Sequence, residues 1–173
     1  MYTIRNSVFE TNSSSSHCLV LNPNHSEIMQ INKYNFDFDN VDSDNMIHVE
    51  TRFYDDDYSY LETPQQKLEY LVTQILNYSA IFDDFEYILP EQAYLNHQFQ
   101  ELNNYINEKT QYAGIVIDNN ITKENCHIDH ESCVEDYSEI LKRVENTETG
   151  ESEEVSLFDY LFNNNYYIYL EWI

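Results

Sequence analysis

The sequence predicts a single α+β domain over residues 1–173, in which a small, mostly antiparallel sheet packs against two or more amphipathic helices. Apolar residues make up 42% of the 173 residues and aromatic residues 15%, which is enough for a packed core in spite of the charge. Short apolar runs typical of strands are interspersed with segments whose apolar residues recur at helical spacing. These segments follow no regular strand–helix–strand order, and no linker rich in Gly, Pro or Ser divides the chain.

The strands are predicted from apolar runs that are bounded by turn-forming residues. We expect strands at residues 17–22, 46–51, 113–117 and 166–172. Pro23 helps to end the first of them. The Asn- and Asp-rich residues 23–45 are predicted to form a loop or an edge strand. Residues 54–60, Y-D-D-D-Y-S-Y, have no helical face and are predicted to form an exposed loop.

The clearest helix is predicted to begin at Thr63, which can cap a helix, with Pro64 at the first helical position. Its apolar residues recur at the spacing of one helix face: Leu68, Leu71, Val72, Ile75 and Leu76. A second helix is predicted from Pro90 to residue 108. Its inward face is expected to consist of Leu95, Phe99, Leu102 and Ile106.

Two further helices are expected in the last third of the sequence. Residues 134–144 are predicted to form the first, with four inward-facing residues: Tyr137, Ile140, Leu141 and Val144. Residues 157–162 fit a short helix. Residues 145–154, which include Gly150, are expected to be the least structured part of the chain.

The net charge is the property that most restricts the function. Thirty-two Asp and Glu oppose eight Lys and Arg, which gives −24, whereas a small domain needs a magnitude of only roughly 2–8 for solubility. Direct binding to nucleic acid is not expected, because phosphate contacts require Lys and Arg. Adaptation to high salt, binding of divalent cations, and docking onto a basic partner remain. Salt adaptation does not explain the abundance of Asn, Tyr and Ile.

The sequence also predicts a cytoplasmic protein without a membrane span. No apolar run reaches the roughly 18 residues that a membrane span needs, and no secretory signal peptide is recognisable. The three cysteines, Cys18, Cys126 and Cys133, are an odd and small number. A disulfide scaffold is therefore not expected, which favours a reducing compartment.

The acidic residues fall into blocks that we predict to form a partner-binding surface. These residues are Asp37, Asp39, Asp42, Asp44, Asp55, Asp56, Asp57, Asp83, Asp84, Glu86, Glu148, Glu151, Glu153 and Glu154. Closely spaced carboxylates imitate the phosphate charge of a duplex, so a nucleic-acid-binding partner would be steered onto them. Interleaved tyrosines offer the aromatic anchors that interfaces favour: Tyr54, Tyr58, Tyr60, Tyr87 and Tyr137.

Metal ligation is considered at two places and predicted at neither. One segment combines Cys126, His127, Asp129, His130, Glu131 and Cys133. With His17 or Cys18 it offers enough zinc ligands, but its spacing matches no closed zinc pattern. The aspartates of residues 36–45 lack the glycine and the ligand spacing of a calcium loop. No metal and no cofactor is expected.

The opening segment R-N-S-V-F-E-T-N-S-S-S-S-H-C-L-V, residues 5–20, resembles the start of a family of small proteins from phages and mobile elements of low-GC Gram-positive bacteria. Similar phrases of that family are I-D-H-E-S at residues 128–132 and L-F-N-N-N at residues 161–165. The chain departs from the family pattern at Cys18, where the family has Ser. The resemblance implies a phage or mobile-element origin and a cytoplasmic setting, and it assigns no catalytic residue.

The serine run has three interpretations on its own chemistry. Ser, Thr and Asn side chains bond to nearby backbone groups, so the run favours a self-capped polar turn. It is alternatively a mobile arm, or part of a polar site. That site would consist of Glu10, Ser14, His17, Asp129 and His130, which include the groups needed for acid–base chemistry.

The sequence therefore predicts a binding protein, and an enzyme is the less favoured alternative. The predicted protein is an acidic, phage-encoded inhibitor that occupies the basic groove of a host protein, such as a CRISPR effector or a restriction factor. The alternative is a small enzyme or ligand-binding protein that uses the polar site. A third hypothesis is a structural accessory protein whose acidity keeps it soluble.

Overall fold

The computed structural model describes residues 15–28, 30, 32–54, 59–82, 87–128 and 134–172. The strands are β1 (Ser15–Leu21), β2 (Met46–Val49), β3 (Phe53–Tyr54), β4 (Ser59–Leu61), β5 (Tyr87–Ile88), β6 (Gly114–Ile117), β7 (Ile121–Thr122), β8 (His127–Ile128), β9 (Val144–Asn146), β10 (Ser152–Glu153) and β11 (Tyr166–Trp172). The helices are α1 (His25–Ile28), α2 (Pro64–Phe82), α3 (Pro90–Ala93), α4 (His97–Lys109), α5 (Ser138–Leu141) and α6 (Leu157–Phe162).

The largest sheet has five strands in the order β10-β9-β1-β11-β4. β1 and β11 pair antiparallel along their whole length, from Ser15 opposite Trp172 to Leu21 opposite Tyr166. β9 runs parallel to β1, whereas β10 with β9 and β4 with β11 are antiparallel. The predicted strands at residues 17–22 and 166–172 are thus confirmed, and so is the α+β class.

A parallel pair of strands, β2 and β6, lies outside this sheet and begins with Met46 opposite Gly114. The predicted strands at residues 46–51 and 113–117 are confirmed. Gly114 has a φ of +153°, and a Cβ there would lie 2.7 Å from Asn103 Oδ1. That oxygen accepts the N–H of Ile115 at 2.7 Å, so a side chain at residue 114 would displace the asparagine that holds β6 to α4.

Helix α2 is the central element of the core, and its predicted start is confirmed. Thr63 Oγ1 accepts the N–H of Gln66, and Gln66 Oε1 accepts the N–H of Thr63, both at 3.2 Å. This reciprocal pair is a capping box. All residues from 67 to 77 are buried, so α2 is surrounded on every side and not only along the predicted apolar face.

The prediction of one helix from Pro90 to residue 108 was wrong, because the chain breaks between α3 and α4. Asn96 caps α4 by accepting the N–H of Phe99 at 3.2 Å. Leu95 lies in the turn before this cap and is 77% exposed, so its expected inward position was also wrong. The other three predicted positions are buried: Phe99, Leu102 and Ile106.

The prediction for residues 134–154 also requires correction. Only Ser138–Leu141 are helical, and Val144 begins a strand. The stretch expected to be least structured is a hairpin of β9 and β10, in which the N–H of Asn146 donates to Glu151 O at 3.0 Å. The N–H of Thr147 donates to Leu21 O at 2.9 Å, which ties the hairpin to β1. The predicted short helix at residues 157–162 is confirmed as α6.

The prediction of an exposed loop at residues 54–60 was wrong at both ends of that segment. Tyr54 belongs to β3 and is buried, and Ser59–Leu61 form β4. Residues 55–58 lie outside the described residues. The hydrogen bonds of these short strands come from partners far along the chain, such as β8 and β11.

Residues 23–45 were predicted to form a loop or an edge strand, and those that the structure describes are mostly loop, apart from α1. Three consecutive buried asparagines attach the first part of this loop to the core. Asn165 Oδ1 accepts the N–H of Ser26 at 3.2 Å. Asn164 Nδ2 donates to Asn32 O, and Asn163 bonds within the same turn to the N–H of Asn165 at 3.1 Å. The L-F-N-N-N phrase therefore supplies hydrogen-bond partners for backbone groups of this loop, including the buried N–H of Ser26.

Lys67 is fully buried beneath this turn. Its Nζ lies 3.4 Å from Asn163 O and 3.3 Å from Tyr166 O. Burial lowers the pKa of Lys67 to about 7, and the charge of Glu62 opposes this shift.

Across the ranges given above, no helix combines the length and the apolar character that crossing a membrane requires.

Candidate binding groove on the sheet

Side chains of successive residues along each strand point to opposite sides, so the five-stranded sheet has two faces. The inner face packs against α2 and α6 and consists of Leu19, Leu61, Val144, Ile168 and Leu170. The outer face carries two rows of directly opposed residues on three strands each. These rows are Cys18–Tyr169–Tyr60 and Glu145–Val20–Tyr167.

The tyrosines of the outer face contact one another. The rings of Tyr60 and Tyr169 stack with centroids 5.1 Å apart and planes at 27°. Tyr60 and Tyr167 meet edge to face at 5.6 Å. Such ring–ring contacts restrict the orientation of the tyrosine rings more than burial alone would. Tyr60, at the edge of the sheet, stays 54% exposed.

A groove of about 330 Å³ lies over these two rows, and we call it the tyrosine groove. It is lined by Cys18, Val20, Tyr60, Glu145, Asn146, Thr147, Gly150, Tyr167 and Tyr169. One of these residues is a carboxylate, and no Lys or Arg is among the described residues that line it. The groove thus combines aromatic rings with negative charge.

The β9–β10 hairpin forms one wall of the groove, and its turn is tightly bonded. Gly150 takes a φ of +69°, and its N–H donates to Asn146 O at 2.8 Å. Asn146 Oδ1 accepts the N–H of Glu148 at 2.9 Å. The turn is held to the loop after β1 by Asn24 Nδ2, which donates to Glu148 Oε1 at 2.8 Å. This wall is therefore fixed on the sheet.

The end of the groove at Tyr167 is polar and negatively charged. His25 packs against the Tyr167 ring at 4.8 Å, and its Nε2 lies 3.0 Å from Glu62 Oε1. Burial raises the pKa of the Tyr167 hydroxyl, and Tyr60, Glu62 and Glu145 raise it further. The hydroxyl therefore stays protonated, and the same neighbouring carboxylates favour a cation at this end of the groove.

The predicted acidic residues fall partly on this surface. Glu148, Glu151, Glu153 and Glu154 are exposed on or beside the hairpin wall. Asp37, Asp39, Asp42 and Asp44 are exposed on the loop before β2. Asp55, Asp56, Asp57, Asp83, Asp84 and Glu86 lie outside the described residues. The first four carboxylates therefore lie on or beside the hairpin, but none of them lines the groove. Glu153 lies opposite Val144 and so on the side of the inner face.

Of the predicted tyrosine anchors whose side chains the structure describes, Tyr60 alone lines the groove. Tyr54 is buried against Tyr70, with ring centroids 5.2 Å apart, so its prediction as an exposed anchor was wrong. Tyr137 is half-buried and packs against the core. Tyr58 and the side chain of Tyr87 lie outside the described residues.

The predicted polar site is described only at His17. Its Nδ1 lies 3.0 Å from the hydroxyl of Tyr70 on α2, so the side chain points to the inner face. Glu10, Ser14, Asp129 and His130 lie outside the described residues, and the acid–base hypothesis stays a prediction.

Cys126 is buried, and His127 stacks on Phe53 at 4.7 Å. In the part of the chain that the structure covers, no group of three His, Cys, Asp or Glu side chains is placed to hold a metal ion.

A charged cluster at His48 was not predicted from the sequence. His48 Nδ1 lies 2.6 Å from Asp118 Oδ1, and its Nε2 lies 3.1 Å from Asp42 Oδ2. Hydrogen bonds to Asp118 and then to Asp42 raise the pKa of His48. Hydrogen bonds from the backbone N–H of Met46 and, to a smaller extent, from the His48 side chain lower the pKa of Asp42. The cluster fastens the acidic loop to β2 and to the end of β6.

Tyr167 and Tyr169 were also missed as functional residues. The run Y-Y-I-Y-L alternates aromatic and aliphatic residues from Tyr167 to Leu170, which indicates two different faces. The run was predicted only as a strand, and its two faces were not distinguished. Comparison with known proteins adds no relative, since no family model, curated protein or solved structure matches the chain.

Proposed function

We propose that this protein is an acidic inhibitor that binds a basic, nucleic-acid-handling protein of a host cell and covers its nucleic-acid groove. The proposed setting is the host cytoplasm, and the proposed origin, which the opening segment alone supports, is a phage or mobile element. A CRISPR effector or a restriction factor is the kind of partner meant.

The tyrosine groove is the observation that carries this proposal. Interfaces depend on aromatic anchors surrounded by polar residues, and the groove places Tyr60 and Tyr167 beside Glu145 and the acidic hairpin. A net charge of −24 steers a basic partner towards the chain. The net charge thus supports attraction of a basic partner at a distance, and the groove supports contacts with it at close range.

Aromatic residues on a sheet face also suit the stacking of nucleic-acid bases. That use requires a basic surface for the backbone, and the groove offers Glu145 instead of Lys or Arg among its described lining. Repulsion between phosphates and a chain of −24 adds to this objection. The charge therefore favours a protein partner.

The experiment that tests the proposal is competition on a defined partner. The chain is immobilised, a nuclease-treated host lysate is applied at low salt, and bound proteins are eluted with duplex DNA. Each eluted protein is purified, and its DNA affinity is measured with and without the chain. We expect basic proteins whose DNA binding the chain blocks, and whose complexes weaken steeply with salt.

Complexes that resist salt, or partners that bind DNA equally well in the presence of the chain, would contradict the proposal. A matched control uses two variants with the same loss of charge. Glu145→Gln with Glu148→Gln, in the groove and in the turn of its hairpin wall, should weaken the complex more than Glu101→Gln with Glu108→Gln on α4, where both residues are exposed.

A further inference from the structure

We propose that the tyrosine groove binds an arginine side chain of the partner, with the guanidinium against the contacting rings of Tyr60 and Tyr167 and directed towards the carboxylate of Glu145. This inference rests on the proposed function for its partner but concerns a specific contact. It assigns to the groove a ligand chemistry, a guanidinium cation on an extended peptide.

The shape and lining of the groove support an arginine. Tyr60 and Tyr167 meet at 5.6 Å, edge to face, and so offer ring faces in different directions. A cation within about 6 Å of a ring centroid is attracted to the ring face. The guanidinium group is planar and only weakly hydrated, so it stacks on a ring more readily than an ammonium does.

The position of Glu145 supplies the matching anion. Glu145 lies opposite Val20 in the same row as Tyr167, so a single residue separates the carboxylate from the ring across the sheet. Glu145 is half-buried. Glu62 lies at the same end of the groove, where it contacts His25. A guanidinium there would meet a ring face and a carboxylate together, as a charge-assisted pair.

Other occupants fit the groove less well. An apolar side chain would leave Glu145 without a counter-charge, which costs free energy if the groove is closed over it. A nucleobase would bring phosphates towards an acidic hairpin. A lysine would satisfy the carboxylate but would use the ring faces poorly.

The test measures peptide binding to the isolated chain. The probe is a capped Gly-Arg-Gly-Arg-Gly peptide, and its lysine counterpart is the comparison; NMR follows the tyrosine ring signals at low salt. We expect the arginine peptide to bind more tightly. Tyr60→Leu and Glu145→Gln should each weaken it by about threefold or more, as the loss of an exposed cation–π contact or ion pair would.

Matched control variants separate the groove from general charge attraction. Glu124→Gln removes the same charge at an exposed position outside the groove, and Tyr105→Leu removes a half-buried tyrosine of α4. Both should leave the affinity unchanged. Equal weakening by Glu124→Gln, or equal binding of the two peptides, would overturn the inference and leave only nonspecific attraction.

Two further outcomes would also overturn it. Binding of a short single-stranded oligonucleotide that Tyr60→Leu abolishes would assign the groove to nucleobases. A dimer in solution that Tyr60→Leu dissociates would assign it to a second copy of the chain. If the peptide result holds but no basic partner is blocked from DNA, the proposed function fails and the arginine site stands. If a basic partner is blocked from DNA but the peptide result fails, only the arginine site is rejected.

Discussion

The two faces of the five-stranded sheet consist of alternate residues of the same strands, yet their surroundings are opposite. On the inner face, Leu19, Ile168 and Leu170 are buried against helices. On the outer face, Tyr60, Tyr167 and Glu145 line a groove. One face therefore provides stability, and we assign binding to the other. The difference shows that a strand with an aromatic–aliphatic alternation can present a packed face and a groove at once.

The largest effect on stability is expected from the inner face. Ile168 is 1% exposed and lies between β1 and β4, opposite Leu19 and Leu61. Ile168→Ala should lower the free energy of unfolding by roughly 2–5 kcal/mol, because it removes buried methyl groups and leaves a cavity. Urea unfolding measures this change.

The matched control is Ile28→Ala, since Ile28 is 68% exposed on α1. This substitution should change the free energy of unfolding by no more than about 0.5 kcal/mol. Similar losses at the two isoleucines would show that the inner face is not the principal source of stability.

A second prediction concerns the buried lysine below the sheet. Burial lowers the pKa of Lys67 to about 7 in the folded state, whereas the unfolded value is 10.5. Between these values the unfolded chain binds more protons, so the contribution to stability increases as the pH rises. The slope from Lys67 is at most about 1.4 kcal/mol per pH unit.

Lys67→Met should therefore remove an increase in unfolding free energy that the native chain shows between pH 7 and 9. Urea unfolding at these pH values measures it, and Lys142→Met, at an exposed position, provides the control. A variant that retains the full slope would indicate that Lys67 is charged in the folded chain.

A smaller and opposite pH effect is expected at His48, far from both faces of the sheet. The pKa of His48 in the folded chain is raised above the usual 6.5. Its contribution to stability is therefore fully present below about pH 6.5 and is lost as the pH rises through the raised pKa. Asp42, whose pKa is lowered from 3.8, stays ionised throughout this range.

His48→Gln should therefore destabilise the chain most between pH 4.5 and 6.5 and least near pH 8, which thermal unfolding over that pH range would measure. His97→Gln is the matched control, because the exposed His97 makes only a 3.5 Å contact with Glu101. A pH-independent difference at His48 would rule out the charged cluster with Asp42 and Asp118.

Elements with strong local signals could be predicted from the sequence. Helix α2 has a capping residue, a proline at the first position and a regular apolar spacing, all of which local chemistry determines. The break before α4 was missed because apolar spacing alone joined Leu95 to Phe99. The asparagine cap at Asn96, which is also a local signal, would have predicted it.

Elements that depend on distant partners could not be predicted. The β9–β10 hairpin is a strand pair because Val20 and Leu21, over a hundred residues earlier, pair with it. The groove depends on the same pairing, since it brings Glu145 beside Val20 and Tyr167. The composition indicated an acidic surface with tyrosine anchors, but only the register of the sheet selects Tyr60, Tyr167 and Tyr169 from the sixteen tyrosines.

The most direct test of the difference between the two faces uses two neighbouring residues of β4. Tyr60 lies on the outer face and is 54% exposed, whereas Leu61 lies on the inner face and is 7% exposed. The unfolding free energy and the affinity for the arginine peptide are measured for Tyr60→Ala and Leu61→Ala. We predict that Leu61→Ala lowers the unfolding free energy by roughly 2–5 kcal/mol while its folded fraction keeps the native affinity. Tyr60→Ala should lose about 1 kcal/mol or less and bind the peptide about threefold more weakly or worse. Native affinity in Tyr60→Ala, or an equal loss of stability in both variants, would contradict the assignment of binding to the outer face.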